Sequence, residues 1–273
     1  LILRIPPSLR YLYLNIPEPA LLFIMRAACL QQSISPCQPV ENLKRALLLA
    51  GSALADGARI LVFPELFLTG FCYQPSLQSG PSAQDIPPYL SLDPFRLLAE
   101  KHGCLIIGSI RSGRQNLGFC LDREGLELRP KIHPFGEERE HFSGGEAISP
   151  AHTAYGQVGL EVCYDLRFPE VARSLALQGA DFLVTPAQFP AQRRGQWRAL
   201  AIARAIENQM PHLACNWAEG GGSLMVEADG EVLAEAGSGQ TVICADISLS
   251  RRDLFRREIP CFSHRRPDVY GRW

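Results

Sequence analysis

From Met25 onward, short apolar runs of strand length alternate with amphipathic runs of helical period, and that rhythm narrows the fold more than any other feature. In "ENLKRALLLAGSALADGARI", Leu43, Ala46, Leu47, Ala50 and Leu54 recur at i, i+3, i+4 and i+7 spacing and mark one face of a helix. "ILVFPE" follows as a buried strand. "LDPFRLLAEKHG" offers Asp93 as an N-cap, Pro94 at the first helical position and Gly103 as a stop, so a second helix precedes the strand "CLIIGSI". "NLGFCLDREGLEL" predicts a hairpin turning at Glu124-Gly125, and "VEADGEVLAEA" predicts another at Asp229-Gly230. Between them come the strand "QVGLEVCYD", the helix "FPEVARSLALQG", the strand "DFLVTPA", the helix "GQWRALAIARAIENQ" and the strand "PHLACNW". Alternation with hairpins at intervals implies α/β layers around a mixed sheet, and no repeat or low-complexity linker divides them.

Composition narrows the partners. A formal net charge of −1 over 273 residues lacks the basic excess that nucleic acid or an anionic membrane surface usually demands, so a small molecule or another protein is the expected partner. Nine cysteines without a CxxC pair suggest neither a zinc site nor a disulfide framework. Most lie in apolar runs, where a free thiol behaves as a small hydrophobe, and a reducing, cytoplasmic compartment is expected. Residues 1–24 contain four prolines that break any continuous apolar stretch, and no run approaches the roughly 20 residues of a membrane span. They are expected to be an appendage outside the fold, with residues 25–273 as one domain.

Three reactive residues stand where an α/β sheet presents side chains to ligands, beyond strand ends. Glu65 closes "RILVFPE"; an acid entering apolar surroundings gains basicity, although a strand-end glutamate can equally cap a turn or pair with an arginine. Lys131 follows the first hairpin in "LRPKIHPFGEEREHF" and, taken alone, reads as a solvated surface charge. Cys163 ends "VGLEVC" just before a helix starting near Pro169. A thiol at such a corner can face backbone N–H groups, or it can be one more core cysteine.

Taken together, "ILVFPELFLTGF", "RPKIHPF" and "LEVCYDLRFPE" resemble, in order and spacing, the three signature segments of the nitrilase superfamily of carbon–nitrogen hydrolases, amidase-like branch. The resemblance runs from Met25 to Gly271. It implies a four-layer α-β-β-α sandwich with mixed sheets and a catalytic set of Glu65, Lys131 and Cys163. An auxiliary glutamate is implied at Glu138, with Glu137 and Glu140 close by. Tyr164, Arg167, Gln188 and Phe189 are implied near the substrate, Arg167 either as a clamp for a carboxylate or in an ion pair with Asp165 or Glu170.

The chemistry expected of that set is hydrolysis of a small carboxamide, with release of ammonia or an amine. Cys163 forms a thioester, Glu65 moves the protons, and Lys131 holds the oxyanion with help from the backbone N–H of Tyr164. A nitrile or N-carbamoyl substrate, or a non-catalytic binding role for the same fold, stays open. A Cys163–His133 dyad is the competing arrangement. No metal or cofactor is expected, and a homodimer is, partly through the apolar faces of "FPEVARSLALQG" and "WRALAIARAIENQ".

Overall fold

In the computed structural model, which describes residues 24–73 and 86–271, period-two alternation decides which side of each strand meets which layer. Strand β1 (Ile24–Gln31) turns Ala27 and Cys29 to one face and Ala28 and Leu30 to the other. β2 (Ile60–Val62) and β3 (Leu105–Ser112) do the same with Ile60, Val62, Leu105 and Ile107 against Leu61 and Ile106. With β4 (Gln115–Asp122), β5 (Gly125–Pro130) and the last strand, β12 (Thr241–Ser248), they form a six-stranded sheet in the order β12-β1-β2-β3-β4-β5. Its β1, β2 and β3 are parallel and its outer pairings antiparallel.

A second sheet repeats the plan. It comprises β6 (Ala151–Thr153), β7 (Gly156–Leu160), β8 (Phe182–Ala187), β9 (His212–Asn216), β10 (Leu224–Val226) and β11 (Val232–Glu235), ordered β11-β10-β9-β8-β7-β6. Its parallel strands are β7, β8 and β9.

The inward faces of the two sheets pack on each other, Ala27, Cys29, Ile60 and Val62 meeting Phe182, Val184, Leu213 and Cys215 in one apolar layer. Helices α1 (Pro39–Ala55) and α2 (Asp93–His102) cover the outer face of the first sheet, through Ala46, Ala50, Phe95 and Ala99. Beyond the short α3 (Glu138–His141), helices α4 (Pro169–Leu177) and α5 (Arg194–Asn208) cover the second, through Val171, Leu175, Trp197 and Ala201. α6 (Leu249–Glu258) and α7 (Pro267–Tyr270) close the described chain. The result is the α-β-β-α sandwich with mixed sheets. Each large side chain buried in these layers contributes roughly 1.5–3 kcal/mol.

Four expectations change. The strand before the cysteine ends at Leu160 rather than Cys163, because a 3₁₀ turn over Cys163–Arg167 follows almost at once. Asp93 lies inside the first turn of α2 and pairs with Arg96 at 2.8 Å instead of capping the helix, since a preceding 3₁₀ turn at Leu90–Leu92 runs straight into it. Ile24 is part of β1 and not of an appendage; residues 1–23 lie outside the described residues. Cys37 and Cys72 are joined in a disulfide across the loops that follow β1 and β2, while seven cysteines remain free. Their sequence surroundings gave no sign that two loops 35 residues apart would meet. No described helix is long and apolar enough to cross a membrane.

Candidate active site

Loops beyond the ends of β2, β5 and β7 carry the three reactive residues into one place. Past β2 the chain reverses at Leu66, a left-handed residue (φ 45°) whose N–H donates to Ser109 Oγ at 2.8 Å, and this reversal directs Glu65 inward. Lys131 directly follows β5; its N–H donates to the Asn116 carbonyl (2.9 Å) and its carbonyl accepts from Gly145 N–H (2.8 Å). The 142–145 stretch crosses so close beneath it that a Cβ on Gly144 would lie 2.5 Å from the Ile132 carbonyl oxygen. Cys163 opens its turn at φ 49°, a conformation that costs a side-chain-bearing residue on the order of 1–2 kcal/mol.

The ammonium of Lys131 sits between two carboxylates, with Nζ 2.7 Å from Glu65 Oε1, 2.9 Å from Glu138 Oε1 and 2.7 Å from Glu138 Oε2. All three side chains are buried, whereas Cys163 is partly open. Glu138 is thus set apart from Glu137 and Glu140, which are exposed. Glu65 and the Gln188 N–H both act on the Cys163 sulfur, and the same N–H donates to Glu65 Oε2 at 3.2 Å.

The electrostatics follow from crowding. Burial and the Glu65 charge push the Cys163 thiol well up, against a downward pull from Lys131, so the resting sulfur is protonated. Burial lowers Lys131, but Glu65, Cys163 and Glu138 more than reverse this and keep it an ammonium. Glu138 is raised by burial and by Glu65, with Lys131 and the Phe135 N–H (2.8 Å) holding it down.

Of two further residues of this framework, Asn116 was not singled out from the sequence and Asp165 only as a partner for Arg167. Asn116, on β4, donates through Nδ2 to Glu65 Oε1 (2.9 Å) and Glu138 Oε1 (3.4 Å), and its buried Oδ1 has no partner among the described residues. Asp165 accepts from the N–H groups of Val162 (3.1 Å), Ile132 (3.2 Å) and His133 (2.8 Å), so one buried carboxylate ties the Lys131 segment to the cysteine turn. An acid two residues past the cysteine in "CYDLRF" was the available signal for Asp165. Nothing local marks Asn116.

Asp165 also decides two open pairings. Its Oδ1 lies 2.8 Å from His133 Nδ1, and the His133 ring stacks on Phe168 at 3.7 Å, whereas the groups that act on the Cys163 sulfur are Glu65, Lys131 and Gln188. Arg167 pairs with neither Asp165 nor Glu170. Its guanidinium lies 4.9 Å over the Phe189 ring and donates to Gln196 Oε1 at 2.9 Å, with no carboxylate partner among the described residues. Phe189 is buried and forms the floor beneath it. The Tyr164 ring meets Phe135 (4.5 Å) and Phe168 (5.2 Å), and Gln188 Nε2 donates to the Glu65 carbonyl at 2.8 Å. Among the described residues, no group of His, Cys, Asp or Glu is disposed to hold a metal ion.

The carbon–nitrogen hydrolase family model matches residues 26–257. A 2-oxoglutaramate amidase from Bacillus subtilis is 34% identical over 264 residues, covering 89% of this chain and 98% of its own. The crystal structure of Saccharomyces cerevisiae Nit3, a member of branch 10 of the nitrilase superfamily, matches with a TM-score of 0.76 at 26% identity over 87% of this chain and 94% of that one. A mutant amidase from Nesterenkonia sp. AN1, with acrylamide added to its active-site cysteine, matches with a TM-score of 0.70 at 28% identity, over 86% of this chain and 100% of its own.

Proposed function

The chain belongs to the carbon–nitrogen hydrolase family, an amidase-like member cleaving non-peptide C–N bonds of small amides, and from that premise we propose that Cys163, Glu65, Lys131 and Glu138 perform the cleavage on the terminal amide of a short carboxylic acid. The observation that carries this reading is the single ammonium held between Glu65 and Glu138, with Glu65 and Lys131 both acting on the Cys163 thiol.

Because the resting thiol is neutral, Glu65 takes its proton as the sulfur attacks the carbonyl carbon. All three ammonium protons of Lys131 are engaged at rest, one by Glu65 and two by Glu138. Protonating Glu65 weakens its hold on Nζ and frees one N–H for the new oxyanion, which the Tyr164 N–H also serves. Glu65 then passes its proton to the departing nitrogen, ammonia leaves, and a thioester remains. Water, deprotonated by Glu65, attacks the thioester; the C–S bond breaks, the acid departs and the thiol is restored. Glu138 and Asn116 hold Lys131 and Glu65 in place throughout.

The substrate reading rests on Arg167. An unpaired guanidinium four residues past the nucleophile suits a free carboxylate, and the Bacillus relative is named for an amide that carries one. Gln188 stays with Glu65, and Tyr164 and Phe189 flank the acyl chain. The reading includes a homodimer, supported by the exposed Leu177 of α4 and Ile206 of α5, with light scattering as its check. It also includes a cytoplasmic compartment, in which the Cys37–Cys72 link would be open to reduction.

The test is ammonia release from 2-oxoglutaramate, uncharged aliphatic amides, nitriles and N-carbamoyl acids, with hydroxylamine present to trap the acyl group as a hydroxamate. The ω-amide should turn over fastest and yield hydroxamate, and Arg167→Ala should raise its KM by about tenfold or more while sparing uncharged amides. Faster turnover of nitriles or carbamoyl compounds, or turnover without trapping, overturns the assignment.

A further inference from the structure

We propose that Glu161, Thr185 and His212 form a buried chain sharing one proton that positions the nucleophile turn, so that loss of this proton at alkaline pH disarms the enzyme. The inference rests on reading Cys163 as the nucleophile and assigns Glu161 as a positioning residue.

Glu161 stands two residues ahead of Cys163, Thr185 lies on β8 and His212 opens β9, and all three are buried. Thr185 Oγ1 is 2.9 Å from Glu161 Oε1 and 2.7 Å from His212 Nε2. His212 Nδ1 lies 3.0 Å from the Ala201 carbonyl, which can only accept, so Nδ1 carries a hydrogen. In a neutral imidazole Nε2 must then accept from the Thr185 hydroxyl. The single hydroxyl proton is thereby used, and Glu161 can hydrogen-bond to Thr185 only by donating, as a carboxylic acid. The other arrangement, imidazolium to hydroxyl to carboxylate, moves two protons along the same chain and leaves their number unchanged. Either way the chain carries one titratable proton. Burial favours the uncharged form, lifting Glu161 to about 8 and lowering His212 to about 4.

The route to the sulfur runs through Arg204. Besides Thr185 and His212, the groups facing Glu161 are Arg204 and Glu207 of α5 and Asp165 of the nucleophile turn. Arg204 is buried; its Nε donates to the Leu166 carbonyl inside that turn (3.0 Å) and its Nη1 to Glu207 Oε1 (2.8 Å). Glu161 Oε2 has no partner among the described residues. An ionised Glu161 places a full, unsolvated charge beside this guanidinium, with a free oxygen to accept from it. Arg204 then turns from Leu166 toward Glu161, and the strained Cys163–Arg167 turn loses one of its anchors, the other being Asp165. The strand pairing couples the same points, since the Glu161 N–H donates to the Val184 carbonyl next to Thr185.

The experiment is a kcat profile from pH 6 to 10 for the fastest amide, with circular dichroism to verify folding. Wild-type kcat should fall by about tenfold between pH 7 and pH 9.5, Glu161→Ala should lose about tenfold already at pH 7, and Glu161→Gln should restore most of that loss and flatten the alkaline limb. If Glu161→Gln does not fold, Thr185→Val severs the chain and should displace the limb by more than about half a pH unit. A flat wild-type profile, an unchanged limb in Glu161→Gln, or an unmoved limb in Thr185→Val overturns the proposal. Cys163→Ala separates the two readings. If it remains active the nucleophile assignment fails; if it is dead while the limb survives in Glu161→Gln, the proton chain alone fails.

Discussion

Two buried polar clusters flank Cys163, and they are kept in the interior by opposite means. Around Lys131, full charges are retained and matched, one ammonium against Glu65 and Glu138, with Asn116 bridging the two acids. Around Thr185, charge is removed, Glu161 being held as an acid and His212 as a neutral base. Removing one member of a matched ionic set leaves an unpaired buried charge, which costs far more than the set contributes, whereas a neutral chain tolerates isosteric replacement. The first cluster should therefore be brittle and the second forgiving.

Lys131→Met is the severest test of that contrast, because it strands two carboxylates and removes the oxyanion partner. Activity should drop by about 10³-fold or more and stability by roughly 3–5 kcal/mol, read by ammonia release and urea unfolding. Retention of a tenth of the activity would remove Lys131 from the chemistry. Asp165→Ala breaks the tie between the Lys131 segment and the cysteine turn, leaving three backbone donors without their acceptor. A loss of about 100-fold in kcat with KM little changed is expected, and an equal rise in KM would instead mark Asp165 as a substrate contact.

Asn116→Ala removes a single donor shared by the two acids, so about a tenfold fall in kcat and a stability loss of about 1–2 kcal/mol should follow. Glu65→Gln removes the charge that pushes the Cys163 thiol up while Lys131 still pulls it down, so iodoacetamide labelling at Cys163, read by peptide mass, should be faster at pH 7 even as amide turnover is lost.

The smallest effect belongs to the neutral cluster. Glu161 is raised to about 8 in the folded chain from an ordinary 4.5, so the unfolded chain releases this proton first as pH rises. Wild-type stability from this group therefore declines between those two values, and Glu161→Gln escapes the decline. Its melting temperature relative to wild type should be higher at pH 8 than at pH 5 by about 3 °C or more. An advantage independent of pH would show that Glu161 is ionised in the folded protein after all.

Legibility differed in the same way between the two clusters. Glu65 and Cys163 could be picked out because each ends an apolar run, Lys131 only through the family resemblance of "RPKIHPF", and Glu138 by its place after the lysine. The helix over Pro39–Ala55 and both hairpins were legible from local periodicity and turn residues, although the first turns at Arg123-Glu124, one residue before the expected place, since Gly125 already pairs with Asp122. Asn116, by contrast, meets Glu65 across 51 residues, and Glu161 reaches Thr185 across 24, with no local pattern to announce either. Reading Cys163 as the end of a strand failed for a related reason. Apolar character continues to Val162, but the ladder to β8 ends earlier, and hydrogen-bond pairing is a property of two strands at once.

By itself, then, the order of residues determined the layered α/β rhythm, the family and the chemical types gathered at the strand ends, because these depend on side-chain period and on residues within a turn or two of one another. Only the tertiary structure decided that Lys131 divides its protons between two acids, that Arg167 meets Gln196 and Phe189 instead of Asp165 or Glu170, that Cys37 meets Cys72 and that Glu161 is kept neutral. Each of those outcomes turns on which distant groups share a space sealed from water, where the energy of a charge is set by its neighbours and not by its own segment.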